Sequence, residues 1–441
     1  MQKYNSNSQY YSLEKLQTLL RNNSSFLSSY YSTLIEKTNE LNETFHIYLT
    51  FDESKIKSKQ QDSIKLLDEG RFQDKQLLGI PFNIKDSFLT REFPTTYGAD
   101  DTNVVSEVDS EIVSLLESEG AILVGKTNIP AYANDVQTYN DVIGTTQNPW
   151  DLSKSAGGST GGGAVSVLTG IIPFAVGSDF AGSIRIPAHF CGIKSYIPTN
   201  GNDFLRGHFP DTKADNKFNF YVGQVGFLSN FVDDFEAFYN ILYKKRRKVN
   251  TFDIQTYSII VSKNDEYVPV NKETQLCIEN LAKLLKNLNI KVNVLFPKEF
   301  SFKEIGSIHV RAMKMTFSTA SEIDNTEIEK LKADKDQFNE NLNEFLKEKF
   351  WILPITSTSA IKHNKEHRPI AVDDKEVSYW RAMIHYTRPF NIANNPIITV
   401  PIGKDQDGLP IGVQIITERG NDLDLLAFGK LLESSLENTK L

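Results

Sequence analysis

Apolar side chains recur at helical spacing near the start of the chain. Four leucines between residues 13 and 20 lie on one helical face and follow Ser12, a residue type that commonly precedes a helix. The pattern predicts an amphipathic helix over 12–22, a second helix through 26–35, a short strand over 46–50 and a further helix over 54–69. We expect these elements to act as scaffold.

From residue 77 onward, short apolar runs alternate with helix-like stretches. Runs such as LLGIPFNI (77–84), AILVG (121–125) and IIPFAVG (171–177) have the length of buried strands. Further strands are predicted at 257–262 and 290–295, and helices at 110–119 and within 321–350. This alternation is typical of an α/β fold with a largely buried sheet. Because no repeat or flexible linker divides the chain, we expect one continuous domain over residues 1–441.

Composition and charge exclude several classes of protein. With 40% hydrophobic and 24% charged residues among 441, the chain has the balance of a globular protein. A net charge of −8 argues against a duplex-binding surface over the whole chain. Cys191 and Cys277 are the only cysteines, which excludes a four-cysteine metal cluster. No apolar run approaches the ~18 residues of a membrane span, and the N-terminus has no signal-peptide core, so a cytoplasmic protein is expected.

Two short segments match the sequence patterns of known functional motifs but lack the neighbouring elements that those motifs require. Residues 120–127 (GAILVGKT) fit the P-loop pattern, but the four residues between the glycines are apolar and a polar helix precedes them. We therefore interpret this segment as helix, turn and buried strand. Residues 157–161 (GGSTG) fit a nucleophile elbow, but no apolar strand leads into Ser159, and no downstream histidine stands in a distinctive turn. Neither nucleotide binding nor an α/β-hydrolase site is expected.

Three separate segments each carry one reactive group. Lys85 ends the run GIPFNIK, Ser159 lies in the glycine-rich loop 156–163, and Ser183 lies in GSDFAGSIRIPA (177–188). A lysine and two loop serines suffice for nucleophilic catalysis without histidine, because a neutral amine can serve as base for a hydroxyl. The pKa of Lys85 must then fall from its usual ~10.4 through burial or a neighbouring cation.

Several further blocks occur in the order found in one enzyme family. GKTN (125–128), NPWD (148–151), NPIITVPIG (395–403) and GLPIGVQ (408–414) join the three segments above, and together they resemble the amidase signature family. The 24 residues from Ser159 to Ser183 match the spacing of that family's catalytic pair. The resemblance is strong over 77–232 and 387–431 and follows an N-terminal helical part, 1–70. It implies an α/β fold in which helices flank both faces of a large mixed β-sheet.

The resemblance also implies roles for the residues of the motifs. Lys85 would be the base, Ser159 the bridging serine after a cis peptide bond, and Ser183 the nucleophile. Asp179 and Arg185 would pair to brace the loop that carries the nucleophile. The oxyanion would be held by backbone N–H groups of this loop, namely those of Phe180, Ala181, Gly182 and Ser183. No cofactor and no metal are expected.

Other residues near these motifs are interpreted as structural. Lys126 resembles the base in its setting but is read as structural, and Cys191 as a small buried residue. His189 and His208 are expected to pack or to line the substrate pocket rather than to act as acid or base. Ala181 stands where the family usually has glycine, so it would strain the loop if that backbone required φ > 0.

The implied function is a stand-alone amidase that hydrolyses a carboxylic amide to acid and amine. The alternatives are the glutaminase A subunit of a tRNA-dependent amidotransferase and a catalytically weak scaffold. Residues 189–192 and 206–210 resemble free-standing amidases more than that glutaminase. A small-molecule amide is the expected partner, with no membrane, no nucleic acid outside the amidotransferase alternative, and a homodimer left open. Segments 200–222 and 296–386 are expected to determine which amide is taken.

Overall fold

The structure, a computed structural model, describes residues 10–71, 75–209, 222–244, 252–317 and 324–439. Within these residues the chain forms thirteen α-helices and seventeen β-strands. The helices are α1 (Leu13–Asn22), α2 (Ser25–Phe45), α3 (Glu53–Asp68), α4 (Glu111–Ser118), α5 (Gly161–Leu168), α6 (Arg185–Cys191), α7 (Asp234–Tyr243), α8 (Lys272–Asn287), α9 (Phe302–Phe317), α10 (Asn325–Leu346), α11 (Tyr379–Ile384), α12 (Arg388–Ala393) and α13 (Asp422–Thr439). The strands are β1 (Tyr48–Phe51), β2 (Pro81–Lys85), β3 (Ile122–Thr127), β4 (Tyr139–Asn140), β5 (Gly144–Thr145), β6 (Gln147–Asn148), β7 (Asp151–Ser155), β8 (Phe174–Asp179), β9 (Lys194–Ile197), β10 (Gln224–Ser229), β11 (Ser258–Val261), β12 (Val292–Val294), β13 (Lys349–Pro354), β14 (Ile370–Val372), β15 (Lys375–Val377), β16 (Ile397–Lys404) and β17 (Pro410–Ile416).

The N-terminal helices begin where the sequence provides a cap. The hydroxyl of Ser12 accepts a hydrogen bond from the Lys15 N–H at the start of α1, and the carboxylate of Asp52 accepts two at the start of α3. The predicted helices over 12–22, 26–35 and 54–69 are confirmed, although α2 continues to Phe45. The predicted strand at 46–50 is β1, displaced by one or two residues because His46 adopts a left-handed conformation that ends α2.

Eleven of the strands form one mixed sheet, in the order β1-β3-β2-β8-β10-β9-β16-β17-β13-β11-β12. The apolar runs predicted as strands near 77–84, 121–125 and 171–177 lie next to one another as β2, β3 and β8. These three strands are parallel, so their carboxyl ends meet at one edge of the sheet. Strand β9 pairs with β10 on one side and with β16 on the other, which joins the strongly family-like segments 77–232 and 387–431 in one sheet.

Helices cover both faces of this sheet, as predicted. Alternate residues of one strand point to opposite faces, and in β13 Phe350 and Ile352 belong to one buried apolar cluster while Trp351 and Leu353 belong to another. Residues of α8 and α13 complete the first cluster, and residues of α10 complete the second. The mixed sheet between helical layers is therefore confirmed.

Two interpretations of the sequence outside the site are also confirmed. The segment that fits a P-loop, 120–127, follows helix α4 and consists of a turn at Gly120 and the fully buried strand β3. The periodic stretch within 321–350 is α10, and residues 321–323 lie outside the described residues. Among the helices described, none is long and apolar enough to cross a membrane.

Candidate active site

A cavity of about 260 Å³ opens beyond the carboxyl ends of β2 and β8. It contains all three predicted catalytic residues, together with several aromatic side chains. Its lining residues are Lys85, Tyr132, Ala133, Asn134, Ser159, Phe180, Ser183, His208, Phe209 and Met313. The three segments singled out in the sequence therefore meet at one cavity, although they lie far apart along the chain.

Lys85 is the last residue of β2 and is fully buried. Its Nζ lies 2.7 Å from Oγ of Ser159, 2.9 Å from Oγ of Ser178 and 3.1 Å from the carbonyl oxygen of Ser178. Burial lowers the pKa of Lys85 to about 7, although the carboxylate of Asp179 partly opposes the shift. A large fraction of this amine is therefore neutral at physiological pH.

The three partners of Nζ fix the direction of the amine lone pair. A neutral amine has two N–H donors, and the carbonyl oxygen and the hydroxyl oxygen of Ser178 both accept from this nitrogen. The third position faces the hydroxyl of Ser159. With its two hydrogens engaged by Ser178, the neutral amine accepts the hydroxyl hydrogen of Ser159. This is the arrangement of a general base.

Glycines shape the loop that presents Ser159. The peptide bond between Gly158 and Ser159 is cis, as the resemblance implies, and Gly157 has φ of +80°. A Cβ added at Gly158 would lie 2.6 Å from backbone atoms of Gln137, so no side chain fits there. The loop therefore lies directly against the backbone of Gln137, and only glycine permits this close approach.

Ser183 lies in the same cavity and is 7% exposed, the least covered of the three catalytic candidates. The structure forms no hydrogen bond between the hydroxyls of Ser159 and Ser183 among its described residues, so only the first of the two predicted links is closed. The backbone does tie the two serines together, because the N–H of Thr160 donates to the carbonyl oxygen of Ser183 (3.1 Å). Catalytic hydrogen bonds are commonly longer without substrate than with it.

Asp179 and Arg185 form a fully buried, bidentate ion pair beside the loop that carries Ser183, the predicted nucleophile. Nη2 and Nε of Arg185 lie 2.9 Å and 3.1 Å from the two carboxylate oxygens. Burial alone would raise the pKa of Asp179, but Arg185 and the amide of Asn391 outweigh it and hold the pKa well below its usual range. The guanidinium also donates to the carbonyl oxygen of Thr387 and to Oε1 of Gln414, each at 2.8 Å.

Two side chains from the second half of the chain hold the predicted oxyanion loop. His309 donates from Nε2 to the carbonyl oxygen of Phe180 (2.6 Å), and Thr387 donates to that of Ala181 (2.5 Å). Because a trans peptide directs its C=O and the next N–H to opposite sides, the first contact turns the Ala181 N–H away from His309. Burial lowers the pKa of His309 to about 4, so this histidine is neutral at pH 7.

The prediction that four N–H groups hold the oxyanion needs one correction. The N–H of Gly182 already donates to Oδ1 of Asp179 (2.6 Å), so Gly182 is not available to an oxyanion in this arrangement. The positive φ in the loop falls on Gly182, at +116°, and not on Ala181. The strain considered for alanine at position 181 is therefore absent.

His208 lines the cavity and contacts Ser178, the residue that also contacts Lys85. Its Nε2 lies 2.8 Å from Oγ of Ser178 and 2.8 Å from Oγ of Ser87, and its ring stacks on Phe180. Burial, with a contribution from nearby Lys85, holds the pKa of His208 well below its usual value. The ring is therefore neutral, and His208 lines the pocket as the sequence predicted.

The remaining interpretations of residues near the motifs also stand. Lys126 is buried against Asp86, with Nζ 3.0 Å from Oδ1, which is a structural ion pair. His189 packs between two segments, since its Nδ1 accepts from the Gly412 N–H and its Nε2 donates to a backbone carbonyl. Cys191 is fully buried, and burial raises the pKa of its thiol above the usual value.

Sequence reasoning missed several residues that complete the site. Ser178 lies inside the motif 177–188 but was assigned no role, because a serine beside a conspicuous aspartate looks like part of the strand. The contacts that Thr387 and Asn391 make with residues 179–185 were also missed, although both residues lie at the start of the family-like segment 387–431. His309 carried no motif at all. No group of three or more potential metal-ligating side chains occurs among the residues described here.

Comparison with known proteins agrees with the motifs. The sequence model of the Amidase family matches residues 30–305 and 278–426. The A subunit of a glutamyl-tRNA(Gln) amidotransferase from Legionella pneumophila is 36% identical over 197 residues, which cover 44% of this chain and 40% of the relative. The matched stretch is thus less than half of that relative's length.

Solved structures with the same fold cover nearly the whole chain. A crystal structure of an amidase has a TM-score of 0.81 at 23% identity and covers 96% of this chain and 99% of its own. A bacterial aryl acylamidase of the amidase signature family has a TM-score of 0.80 at 21% identity, covering 98% and 97%. The chain therefore belongs to the amidase signature family, whose members are hydrolases of carbon–nitrogen bonds.

Proposed function

We propose that the protein is a free-standing amidase that hydrolyses a linear carboxylic amide through an acyl-enzyme on Ser183. The observation that carries the proposal is the contact of 2.7 Å between Nζ of Lys85 and Oγ of Ser159, with both other contacts of Nζ made to hydrogen-bond acceptors. A lysine held in this way can accept a proton, and Ser183 lies in the same cavity.

Acylation moves two protons toward Lys85. Oγ of Ser183 attacks the amide carbonyl carbon and gives its proton to Oγ of Ser159, which gives its own proton to Nζ of Lys85. When the tetrahedral intermediate collapses, the C–N bond breaks and the leaving nitrogen takes a proton from Ser159, which Lys85 restores. The site then holds an ester at Ser183 and a neutral Lys85.

Deacylation repeats the same relay with water. Water adds to the ester carbonyl and passes a proton through Ser159 to Lys85, and collapse returns that proton to Ser183 as the acid leaves. The N–H groups of Ala181 and Ser183 are the donors that we assign to the oxyanion, together with that of Phe180. Preorganised donors of this kind typically contribute about 3–4 kcal/mol each to the transition state.

The cavity favours an apolar or aromatic acyl group. Phe180, Phe209, Tyr132 and Met313 supply its large apolar and aromatic side chains, and Lys85 is the one charged side chain among its described lining residues. Residues 210–221, part of the segment expected to influence substrate choice, lie outside the described residues. An uncharged aromatic amide is therefore the substrate class that we propose first.

The second candidate is glutaminase activity in a tRNA-dependent amidotransferase. It is favoured by the matched relative, which is the A subunit of such an amidotransferase. Glutamine carries an α-carboxylate and an α-ammonium, and burying either group without a partner of opposite charge is costly. The described wall of the cavity offers no carboxylate for the ammonium, so we rank this function second.

The deciding experiment is covalent labelling with a small fluorophosphonate, read by intact mass. We expect one adduct on the wild-type protein, no adduct on Ser183→Ala and slow labelling of Lys85→Ala. Ser195→Ala is the matched control, because Ser195 is also buried but lies outside the cavity. An adduct that persists in Ser183→Ala would overturn the assignment of the nucleophile.

Turnover separates the two candidate functions. Release of amine from neutral aromatic amides, faster than release of ammonia from glutamine by the isolated chain, is the expected result. Glutaminase activity that requires addition of the other amidotransferase components would reverse the ranking.

A further inference from the structure

Arg388, the first residue of α12, is a partly buried cation without an acidic partner. Its Nε is inaccessible to solvent and makes no hydrogen bond, and no ion pair of the described residues includes Arg388. Burial lowers the pKa of this guanidinium; Tyr267 partly opposes the shift, and the nearby Arg381 adds to it. Arginine is seldom withdrawn from water without a compensating anion, because an unpaired charge is costly to bury.

The fold makes room for the guanidinium at a specific place. A Cβ added at Gly306, in α9, would lie 2.1 Å from Nη2 and 2.3 Å from Cζ of Arg388. The guanidinium thus occupies the space that any side chain at position 306 would need. Because the guanidinium packs against the backbone of α9 at Gly306, its N–H donors can point in only a narrow range of directions.

Two further cations lie over the ring of Tyr267, a residue close enough to Arg388 to affect its pKa. Nζ of Lys303 lies 5.2 Å, and Cζ of Arg381 lies 5.0 Å, from the centre of the Tyr267 ring. Neither forms an ion pair within the described part of the chain, and both are exposed. Tyr267 and Lys303 line a second cavity, of about 740 Å³, which does not include the catalytic serines.

The acidic residues of this second cavity do not neutralise the cations. Asp265 is engaged elsewhere, because its carboxylate accepts from Nε2 of His385 and from the N–H groups of Tyr267 and Val268. Glu266 is exposed and forms no ion pair with these cations. The lining of the cavity itself carries two lysines, Lys298 and Lys303, and two carboxylates. The excess of positive charge around Tyr267 therefore comes from Arg381 and Arg388, which lie outside that lining.

We propose that Arg388, Arg381 and Lys303 form a binding site for the carboxylate or phosphate group of a small molecule. The guanidinium fork matches both groups in shape and charge, and the aromatic ring of Tyr267 holds the other two cations beside it. This site is separate from Ser159 and Ser183 and goes beyond the hydrolysis proposed above. Two sources fit its chemistry: a free anionic effector and an anionic tail of the amide substrate.

The position of Arg388 connects this site to the nucleophile loop. The preceding residue, Thr387, donates to the carbonyl oxygen of Ala181 and accepts from Arg185. His309, one turn beyond Gly306 on α9, donates to the carbonyl oxygen of Phe180. An anion on Arg388 therefore binds one residue away from the contacts that hold the oxyanion loop.

The direct test is a thermal shift with inorganic phosphate and with succinate, each compared with sodium chloride at equal ionic strength. We expect the wild-type Tm to rise by roughly 2–5 °C when the anion is present at about 100 times its Kd. The rise should disappear in Arg388→Gln and shrink in Arg388→Lys, which keeps the charge but loses the fork. Arg91→Gln is the matched control, because Arg91 is exposed and already pairs with Asp109.

Two results would overturn the proposal: no rise above the chloride baseline in the wild type, or an equal rise in Arg388→Gln. If Arg388→Gln does not fold, the exposed substitutions Lys303→Ala and Arg381→Gln replace it, and each should reduce the rise. An undiminished rise in both of them would equally count against the site.

Kinetics distinguish the two sources of the anion. A free effector should change kcat for an uncharged amide in the wild type when phosphate or succinate is added. An anionic substrate tail should instead give a lower KM than its uncharged isostere, and Arg388→Gln should remove that difference. The thermal shift needs no turnover, so failure of the anion site and failure of the proposed amidase function remain separate results.

Discussion

Two lysines of this protein, Lys85 and Lys126, occupy neighbouring strands of the same sheet and are equally buried, yet their surroundings differ. Lys126 faces the carboxylate of Asp86, 3.0 Å away, and the hydroxyl of Thr95. Lys85 faces two hydroxyls and one carbonyl oxygen. The carboxylate of Asp179 also affects the pKa of Lys85, but this carboxylate is already paired with Arg185.

This difference decides which lysine can act as a base. Burial lowers the pKa of both amines, but in Lys126 the charge of Asp86 opposes the shift and stabilises the ammonium. In Lys85 the pKa falls to about 7, because no free carboxylate compensates for lost hydration. A buried lysine is therefore structural when it has its own counterion and a candidate base when its neighbours are only dipoles.

The largest expected effect comes from removing the base. Lys85→Met should lower kcat for an amide substrate by about 10²–10⁴-fold, the usual contribution of a positioned general base. The folded-state pKa of Lys85 lies below its usual 10.5, so the lysine destabilises the fold fully below pH 7 and progressively less as the pH rises toward 10.5. Lys85→Met should therefore raise Tm more at pH 6 than at pH 9, by calorimetry. A lowered Tm at pH 6 would contradict the expected direction.

The matched substitution Lys126→Met should act on stability instead. It leaves the buried carboxylate of Asp86 uncompensated, and breaking such a pair typically lowers the free energy of unfolding by about 3–5 kcal/mol. Denaturant titration measures this loss. The protein that remains folded should keep the wild-type pH dependence of kcat/KM, and a displaced pH profile would show that Lys126 also influences the base.

The pH dependence of kcat/KM in the wild type tests whether Lys85 is neutral when it acts. The reaction needs neutral Lys85, so kcat/KM should rise about tenfold per pH unit below the pKa and level off above about pH 7. Initial rates with a neutral amide between pH 5 and 9 provide the measurement. Rates that still climb tenfold per unit up to pH 9 would indicate that Lys85 retains its charge in the free enzyme.

His208 is expected to have a smaller influence through Ser178. His208→Phe removes the ring nitrogen that contacts the hydroxyls of Ser178 and Ser87 while keeping the stacking area against Phe180, and only the contact with Ser178 leads on to Lys85. Losing one such contact costs about 1 kcal/mol, so we expect kcat to fall by roughly 5–10-fold. The KM of an apolar amide should change less, and the midpoint of the pH profile should shift. A change in KM alone would assign His208 to substrate contact only.

The smallest effect is expected at Ala181. Because this residue does not have a positive φ, Ala181→Gly relieves no strain and only adds freedom to the unfolded chain and to the loop. We expect kcat/KM to stay within about twofold of the wild type and stability to fall by roughly 0.4–1 kcal/mol. A large gain in rate would instead mean that alanine restricts the loop during turnover.

The sequence allowed the fold class, and the segments that meet at the cavity, to be predicted for a physical reason. Buried parallel strands leave continuous apolar runs, and the loops after β2 and β8 carry residue types that core packing does not favour. No feature of the sequence next to Lys85 or Ser159 indicates that the two residues meet. Their contact could be predicted only because motifs over much of the chain occur in the same order as in the amidase signature family.

The supporting contacts could not be predicted in the same way. His309 and Thr387 hold backbone carbonyls of the loop 180–182, and any donor of suitable length could do so. The choice among many polar side chains depends on the packing of α9 and α12, which periodicity does not specify. The engagement of Gly182 by Asp179 depends on backbone direction within a four-residue turn, which is also invisible in the sequence.

The strand order has a consequence for biosynthesis. Arg185 reaches Thr387, Asn391 and Gln414, which the ribosome adds roughly two hundred residues later. Strand β9 likewise has both of its edges paired only after β16 has been synthesised. A nascent chain that already contains both serines and the lysine therefore emerges with its nucleophile loop unsupported. The site is assembled only after translation has passed Gln414 and the last strands of the sheet have docked.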